Sequence, residues 1–512
     1  MKNLRGLAIL CAGVLPASTA LRAATTPGDD ASRFPNILLV YTDDQGYGDA
    51  SCLNPDAKFR TPNHDRLARE GMTFTDGHCS DTVCTPSRYG LLTGRYSWRT
   101  TLKRGVFGAE KPCLIADGRV TLPSLLRDHG YATAMVGKWH LGMDFPGTQG
   151  DRDWSQPVRD MPLDKGFDYF WGIPASMNYG VLAWFEGRHA AVPPTLWTKK
   201  KPNQIALADY RIMPPYERER KPGLMEVAPD FIDSECLTRF TDQAIKWIEG
   251  KAEGARNGKP FFLYLPYTSP HKPVIPVEKF RGRGKAGAYG EFMIETDWHL
   301  GRLLDLLDRE KLAANTIVIY TADNGPETTW KERIKRFDHF SSGPYREGKR
   351  SVYEGGHRVP FFIRWPAVIK AGSTWDQPVC QTDILATVAE ILGKALPAKA
   401  GEDSVSFLTA LRGGTPATAR PPVIHHGANG RFAIRHGKWK LVMESKRKGE
   451  KRELYDLAAD RGEQNDVLAG HPAVEKRLFA QLVRIVTSGE TRAGADSAND
   501  TPPWDELVWL KP

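Results

Sequence analysis

The sequence predicts an α/β fold, in which a large domain with a mostly parallel central sheet flanked by helices precedes a small C-terminal α+β domain with an antiparallel sheet. Two observations predict the large domain. Four continuous apolar runs each end abruptly in a polar cluster, which is typical of parallel strands that are buried on both faces. Amphipathic helical patterns lie between these runs, and strands that alternate with helices indicate a layered α/β sheet.

The predicted strands run, in chain order, over residues 36–42, 131–136, 261–265 and 316–320. Helical patterns precede the second and fourth strands, at residues 122–130 and 296–307. The polar clusters that follow the strands are Asp43-Asp44, Gly137-Lys138-Trp139-His140, Ser269-Pro270-His271 and Asp323-Asn324-Gly325. In open α/β sheets the ligand site lies beyond the carboxyl ends of the strands, so we expect these clusters to form a single site.

A smaller second domain is predicted after a break near residues 394–422, where Pro, Ala, Gly and Thr dominate. Strand-like runs at 431–435 and 439–443 flank a turn at His436-Gly437, and a helical pattern covers 474–486. We therefore expect a large domain over residues 33–400 and a C-terminal domain over residues 410–512. Residues 145–230, rich in Pro, Trp and Arg, are predicted to be long loops over the site or a surface insertion without function.

The first residues, 1–24, are predicted to be a secretory signal peptide. Lys2 and Arg5 form a charged start, a short apolar run follows, and small residues suit cleavage. The run is too short to cross the ~30 Å hydrocarbon core of a membrane, and no later segment is long enough. Lipid attachment at Cys11 is disfavoured by the bulk of Leu10 before it. We expect an exported protein, periplasmic or extracellular, without a membrane span.

Composition and charge narrow the class of ligand. The chain has 512 residues, of which 41% are hydrophobic and 26% charged, and these values are typical of a soluble globular protein with a full core. The net charge of +9 predicts a moderately basic surface that suits a polyanion, although charge runs are more often solvated loops. No nucleic-acid motif occurs, so we expect no nucleic-acid partner.

The sharpest motif is a segment that begins at Cys84 and reads Cys-Thr-Pro-Ser-Arg-Tyr-Gly-Leu-Leu-Thr-Gly-Arg. It resembles the signature of the type I, formylglycine-dependent sulfatases, arylsulfatase-like members of the alkaline phosphatase superfamily, and the other motifs follow in that family's order. The resemblance implies an alkaline-phosphatase-like large domain and hydrolysis of sulfate esters. It also implies that a formylglycine-generating maturation enzyme oxidises Cys84 to an aldehyde. An isolated cysteine would instead be a buried apolar residue or half of a disulfide.

Chemistry explains why that family uses an aldehyde. After hydration it has two hydroxyl groups, of which one attacks sulfur and expels the alcohol. The second can lose its proton, so that the sulfated intermediate collapses to the aldehyde and releases sulfate. A serine would stop at the stable sulfate ester.

Asp43, Asp44, Asp323 and Asn324 offer only hard oxygen donors, which calcium or magnesium binds and which zinc or copper does not favour. For either pair alone, turn formation or helix capping is the alternative. The resemblance implies that these residues, together with the modified Cys84, bind one calcium ion. The ion would hold a sulfate oxygen and the hydrated aldehyde.

Five further residues match motifs of the family, namely Arg88, Lys138, His140, His271 and Lys349. By resemblance, Arg88 and Lys138 orient and polarise the hydrated aldehyde. His140 takes the proton when the intermediate collapses, and His271 and Lys349 bind sulfate and protonate the leaving oxygen. Which of these last two residues is the acid stays open.

The cysteines leave the number and the pairing of disulfides open. Those that remain after loss of Cys11 are Cys52, Cys79, Cys84, Cys113, Cys236 and Cys380. If Cys84 is modified, at least one of the others is unpaired or the disulfides are few, and the spacing gives no connectivity. No Cys-x-x-Cys pair occurs, so we expect no zinc cage.

The substrate is less sharply predicted than the reaction. We expect a sulfated carbohydrate, with aryl sulfates as a further activity. The alternatives are a phosphatase or phosphonate monoester hydrolase of the same superfamily, and an inactive secreted binding homologue. Weaker candidates for contact with the organic part of the substrate, for each of which a structural role is the alternative, are Asp144, Asn178, Tyr179, His299, Arg346, His425 and His426.

Overall fold

The computed structural model describes residue 1 and residues 34–199, 212–447 and 449–510. Apart from its first residue, the predicted signal peptide lies outside the described residues. Within these ranges, no helix combines the length and the apolar character that are needed to span a bilayer.

The strands of the described residues, numbered in chain order, are β1 (Asn36–Asp43), β2 (Met72–Phe74), β3 (Gly77–His78), β4 (Ala132–Lys138), β5 (Gly147–Thr148), β6 (Asp151–Arg152), β7 (Tyr169–Ile173), β8 (Phe185–Glu186), β9 (His189–Ala190), β10 (Leu196–Lys199), β11 (Leu224–Val227), β12 (Phe261–Pro270), β13 (Thr316–Ala322), β14 (Phe361–Arg364), β15 (Ser373–Trp375), β16 (Val379–Cys380), β17 (Val423–His426), β18 (Phe432–His436), β19 (Trp439–Val442) and β20 (Glu453–Asp456). The helices are α1 (Pro62–Glu70), α2 (Cys84–Thr93), α3 (Leu122–Arg127), α4 (Cys236–Arg256), α5 (Gly287–Arg309), α6 (Trp330–Phe337), α7 (Glu354–His357), α8 (Asp383–Ile391), α9 (Leu408–Leu411) and α10 (Pro472–Ser488).

A large central sheet organises the first part of the chain. Its strand order is β15-β2-β14-β13-β1-β12-β4-β7-β8-β9. The middle strands β13, β1, β12, β4 and β7 are parallel, whereas β14 and β8 run antiparallel to their inner neighbours. The predicted α/β architecture is therefore confirmed, and all four predicted strands are present as β1, β4, β12 and β13.

The middle of the sheet is covered by helices. Every residue of β1, β12 and β13 is buried. Helices α4 and α5 pack against β12, and α3 packs against β4. Burial on both faces explains why these strands are continuous apolar runs rather than alternating ones. The helical patterns predicted at 122–130 and 296–307 correspond to α3 and to the second half of α5.

The prediction that residues 145–230 form only loops or a surface insertion is wrong for β7. This strand pairs in parallel with β4 and extends the central sheet. Its Gly172 interrupts the apolar run, but a Cβ atom there would lie 1.9 Å from the carbonyl oxygen of Gly137 on β4. The close approach of the two strands thus requires glycine and at the same time removes the apolar pattern by which a strand is predicted.

The C-terminal part contains the predicted antiparallel sheet, formed by β17, β18, β19 and β20 in that order. Helix α10 packs against β18 and β19, and Leu478 and Leu482 of the helix share a core with Ile434 and Leu441. The hairpin and the helix predicted there are therefore confirmed. Gly437, with φ of 61°, occupies the predicted turn. The domain boundaries themselves stay a prediction.

Candidate active site

The predicted site residues meet at the carboxyl edge of the central sheet. Asp43 ends β1, Lys138 ends β4, and Cys84 begins α2, on which Arg88 also lies. All of the predicted site residues are buried. Those that lie in loops close to strand or helix ends are Asp44, His140, His271, Asp323, Asn324 and Lys349.

The backbone at two of these strand ends is strained. Asp44 has φ of 67° and His140 has φ of 61°, a region that costs an L-residue about 1–2 kcal/mol. Hydrogen bonds hold both residues there: the Asp44 N–H donates to Asp323 Oδ1 at 3.1 Å, and the His140 N–H donates to the Pro174 carbonyl at 2.9 Å. Strain of this kind persists where the surroundings impose it and is concentrated at functional sites.

The oxygen-bearing residues leave acceptors unused. Asn324 Nδ2 donates to Asp44 Oδ1 at 2.7 Å. Asp44 Oδ2 and Asn324 Oδ1 are buried and have no hydrogen-bond partner among the described residues. Each such atom costs about 1–3 kcal/mol, and a bound cation would remove that cost. Because carboxylate and amide oxygens are the ligands that calcium prefers, these residues fit a calcium ion.

The charges around Asp43 and Asp323 also fit a bound cation. Lys138 contacts Asp43, and Arg88 donates to Asp323 Oδ2 at 2.8 Å. Burial opposes ionisation of Asp43, yet Lys138 and the other nearby basic groups hold its pKa well below the usual value. The pKa of Asp323 is raised to about 7, by burial and then by the charge of Asp43. The positive charge present does not compensate Asp323 fully, and a divalent cation would supply the rest.

Cys84 lies between a carboxylate and an ammonium group. Its thiol donates to Asp43 Oδ1 at 3.4 Å, and Lys349 Nζ lies 3.5 Å from Sγ. Lys349 also contacts Asp44. Burial, followed by the charges of Asp323 and Asp43, raises the pKa of the Cys84 thiol well above its usual value. Because the thiolate is the nucleophilic form, the unmodified cysteine is a poor nucleophile.

Each of two histidines in the site has one ring nitrogen that is hydrogen-bonded to a backbone carbonyl. His140 Nε2 donates to the Phe107 carbonyl at 2.9 Å, and its Nδ1 has no partner among the described residues. His271 Nδ1 donates to the Lys272 carbonyl at 2.7 Å, so Nε2 faces Asp44 Oδ2 at 3.8 Å. Burial lowers the pKa of both, well below the usual value for His140 and to about 4 for His271. Each neutral ring therefore presents a proton acceptor.

The structure adds residues that the sequence motifs did not single out. Arg350 follows Lys349 with φ of 79° and forms a two-point ion pair with Glu327, one bond of which is 2.9 Å long. Lys272 Nζ lies 3.7 Å from the same carboxylate. Ser176 Oγ lies 3.2 Å from His271 Nδ1. Adjacency could have suggested Arg350, which follows Lys349, and Lys272, which follows His271, whereas Ser176 lies far from the predicted site residues in sequence.

Two of the weaker candidates lie beside the site. The ring of Tyr179 is 5.4 Å from that of His140, and the neighbouring Asn178 is buried with neither amide atom hydrogen-bonded within the described ranges. The remaining weaker candidates form no hydrogen bond, ion pair or ring contact with a predicted site residue in the described part of the chain; they are Asp144, His299, Arg346, His425 and His426.

No disulfide joins the cysteines of the described residues. Each of the six is free, and Cys52 is the exposed one, whereas Cys113 is half-buried. The sequence left the disulfide connectivity open. In the structure the unpaired thiols are those of Cys52, Cys79, Cys113, Cys236 and Cys380, together with that of Cys84.

Comparison with known proteins gives a consistent result. A model of the Sulfatase family matches residues 35–394, and a model named N-sulphoglucosamine sulphohydrolase, C-terminal, matches residues 346–488. The chain is 31% identical to an N-acetylgalactosamine-6-O-sulfatase of Bacteroides thetaiotaomicron over 95% of this chain and 100% of that protein. It is also 31% identical to human arylsulfatase A, over 92% and 90% of the two chains.

A solved structure agrees with these relatives. It comes from work on the metabolism of multiple glycosaminoglycans by Bacteroides thetaiotaomicron and superposes with a TM-score of 0.76 at 31% identity. The match covers 88% of this chain and 99% of that one. The architecture described above is therefore shared along almost the whole of that protein.

Proposed function

Because the chain belongs to the sulfatase family and is an enzyme that hydrolyses sulfate esters, we propose that its nucleophile is a formylglycine made from Cys84 and that it works beside a calcium ion. The observation that carries the proposal is the position of the Cys84 sulfur. It lies 3.4 Å from Asp43 Oδ1 and 3.5 Å from Lys349 Nζ, and it belongs to a group of possible ligand atoms of Asp43, Asp44, Cys84 and His271 that all lie within 4.8 Å of one another.

The unmodified thiol does not suit this reaction. It is buried, and its pKa is raised by burial and by two carboxylates, so little thiolate exists near pH 7. A hydrated aldehyde would supply one hydroxyl group to attack sulfur and a second whose deprotonation releases sulfate. A maturation enzyme would make this aldehyde, as the motif that begins at Cys84 implies.

The calcium ion would be held by Asp43, Asp44, Asp323 and Asn324. When bound, it would draw one sulfate oxygen to the site and lower the pKa of the hydroxyl that attacks sulfur. It would also satisfy Asp44 Oδ2 and Asn324 Oδ1, which otherwise lack a partner in the described residues.

The basic residues of the chain bind and orient the reacting groups. Arg88, fixed by Asp323 and by the Lys138 carbonyl at 3.0 Å, and Lys138 orient the hydroxyl groups at position 84. Lys349, which contacts Cys84 Sγ at 3.5 Å, binds the sulfate ester. These charges stabilise the negative charge that develops as the ester bond breaks.

The two neutral histidines move protons. His140 Nδ1 has no other partner among the described residues and accepts the proton whose loss releases sulfate. His271 Nε2 lies 3.8 Å from Asp44 Oδ2. Either Lys349, or His271 after it has bound a proton at Nε2, protonates the oxygen of the leaving alcohol. The choice between these two acids is left to the substitution of each residue in turn.

The substrate we propose is a sulfated carbohydrate, and export would bring the enzyme to it. A relative that matches 95% of this chain is named for N-acetylgalactosamine 6-O-sulfate, so this monosaccharide is the first compound to test. Aryl sulfates serve as the comparison. The signal peptide predicted over residues 1–24 supports a periplasmic or extracellular location, which N-terminal sequencing of the secreted protein would test.

Mass spectrometry tests the proposal directly. Protein produced with and without a formylglycine-generating enzyme would be digested with trypsin, and the mass of the peptide that contains Cys84 would be measured beside the rate of sulfate release. We expect a mass loss on conversion of the thiol to the aldehyde, with activity proportional to the converted fraction. Full activity in protein whose Cys84 is entirely unmodified would refute the proposal.

A further inference from the structure

We infer that a basic cleft beside the active site binds a sulfated polysaccharide at a point remote from the ester that is hydrolysed. The cleft has a volume of about 620 Å³. One wall is formed by residues 55–60, and the other by Arg283, Lys285 and Ile294. This inference rests on the proposed function for the identity of the ligand, a polymer whose sulfate esters the enzyme removes.

The lining of the cleft carries an excess of positive charge. Its charged residues are Asp56, Lys58, Arg60, Arg283 and Lys285. Lys58 pairs with Asp338 at 3.0 Å, outside the lining. In the described part of the chain, Arg60, Arg283 and Lys285 form no ion pair, and all three are exposed. Unpaired cations around one concave surface attract an anion rather than stabilise the fold.

The cleft is built and not merely a set of surface charges. The Lys285 N–H donates to the Lys58 carbonyl at 2.8 Å, so the two walls are joined. Phe59 is buried between them and packs on the ring of His339 at 4.8 Å between centroids. The N–H of Lys58 in turn donates to His339 Nδ1 at 3.4 Å. These contacts fix the backbone from which the cationic side chains extend, on either side of the apolar Phe59.

The cleft lies at the same edge of the sheet as the active site. Residues 55–60 belong to the loop that follows β1, which ends at Asp43, and residues 283–285 belong to the loop that follows β12 and contains His271. Tyr289, in the first turn of α5, donates to Asp49 Oδ2 at 2.7 Å and lies 3.5 Å from the Asp44 carbonyl oxygen. One element therefore contacts both the calcium-site segment and the loop that leads to the cleft.

Exposure of the cations indicates a polymer rather than a small ligand. A single ion pair at an exposed position is screened by water and salt and contributes little binding energy. Several linked anionic groups gain from several such pairs while they lose translational freedom only once. A chain with a sulfate group on successive sugars meets this condition, and the same chain offers the ester that the active site hydrolyses.

Binding to an inactive variant tests the inference without any need for turnover. In a Cys84→Ala background, the affinity for a chondroitin 6-sulfate oligosaccharide would be measured by calorimetry at low and moderate salt. We expect the triple variant Arg60→Ser, Arg283→Ser, Lys285→Ser to bind at least about tenfold more weakly and with a shallower dependence on salt. The control triple Lys394→Ser, Lys399→Ser, Arg412→Ser removes the same charge from exposed positions elsewhere and should change the affinity less than twofold.

Kinetics with otherwise active enzyme add a second measurement. The cleft variant should lower the ratio of kcat/KM for the oligosaccharide to kcat/KM for the sulfated monosaccharide, while the control triple leaves this ratio as it is. Equal losses in the two triples, or no loss in either, would overturn the inference, as would equal affinity for a DNA duplex of matched charge. Absence of all sulfatase activity would refute the proposed function but leave the binding result readable.

Discussion

Two buried clusters of titratable side chains differ in what completes them. One is the active-site group Asp43, Asp44, Cys84 and His271, and the other, which we name the interface cluster, is His78, Glu354, His357 and His425. In each, possible metal ligands lie within 4.8 Å of one another and every residue is buried. Burial therefore does not distinguish them, but donor type and hydrogen-bond partners do. The first offers two carboxylates and the second three imidazoles, and both ring nitrogens of His425 lack a hydrogen-bond partner among the described residues.

The interface cluster already contains its cation. Lys440 Nζ, from β19, lies 2.9 Å from Glu354 Oε1 and 3.1 Å from His357 Nε2. His78 links the cluster to Asp76 at 2.7 Å. In the active site, by contrast, lysines contact Asp43 and Asp44 but carboxylate and amide oxygens still lack partners among the described residues. Unpaired oxygen donors, rather than a group of buried ligand atoms alone, thus indicate where a calcium ion belongs.

Substitution of Cys84 should have the largest effect on function. Cys84→Ser can form a sulfate ester but lacks the second hydroxyl group that releases it, so turnover should fall by about 10⁴-fold or more. Cys52→Ser, the same change at an exposed cysteine, should retain full activity. Steady-state sulfate release from both proteins checks this, and multiple turnovers by Cys84→Ser at an undiminished rate would disprove the proposed nucleophile.

Substitution of Lys440 should have the largest effect on stability. Lys440→Met removes the buried cation that contacts Glu354 and Glu463 at 2.9 and 2.8 Å. Glu354 keeps Arg358 at 3.1 Å, so the loss falls mainly on Glu463. The free energy of unfolding should fall by about 3–5 kcal/mol, because removing one member of a buried ion pair leaves uncompensated charge. Urea denaturation measures this change.

The matched control for that substitution is Lys438→Met on the same hairpin. Lys438 pairs with Asp456 at 2.6 Å, but its side chain is 52% exposed, so the loss should stay below about 1 kcal/mol. If Lys440→Met costs no more than Lys438→Met, then Lys440 is not the cation that completes the interface cluster.

The histidines of the interface cluster should make stability depend on pH. His425 stacks on His357 with ring centroids 3.6 Å apart, and burial, followed by the charges of His357 and His78, holds its pKa well below the usual value. Below pH ~6.5 the unfolded chain binds a proton at His425 that the folded chain does not bind. The contribution of neutral His425 to the free energy of unfolding is therefore present above that pH and is lost as the pH falls.

His425→Phe removes the difference of one bound proton between the unfolded and the folded chain. Between pH 7 and pH 5, the variant should lose about 2 kcal/mol less of its free energy of unfolding than the unsubstituted protein does. Urea denaturation at the two pH values gives both numbers. An identical loss in the two proteins would show that His425 is protonated in the folded state as readily as in the unfolded state.

The sequence predicted the active site better than it predicted the interface cluster, for a physical reason. Asp43, His140, His271 and Asp323 each follow an apolar strand, and parallel strands bring their carboxyl ends together. A local pattern therefore sufficed. Asp76 and Arg435 are joined by an ion pair of 2.7 Å across more than three hundred residues, and no periodicity near either one indicates the other.

The same reason accounts for what was missed in the fold. Strand β7 contains Gly172 where an apolar side chain would have marked a strand, since the approach to Gly137 leaves no room for one. The ion pair between Arg350 and Glu327 joins two loops whose positions depend on β13 and α7 together. Contacts set by tertiary approach leave little trace in local sequence.

Metal content tests the comparison of the two clusters most directly. Calcium and transition metals would be measured by inductively coupled plasma mass spectrometry after removal of loose ions, in the unsubstituted protein, in Asp44→Ala with Asn324→Ala, and in His357→Phe with His425→Phe. We predict a single calcium ion per chain that is lost only from the Asp44 and Asn324 variant. Retention of that calcium in this variant, or loss of bound metal from the His357 and His425 variant, would contradict the account.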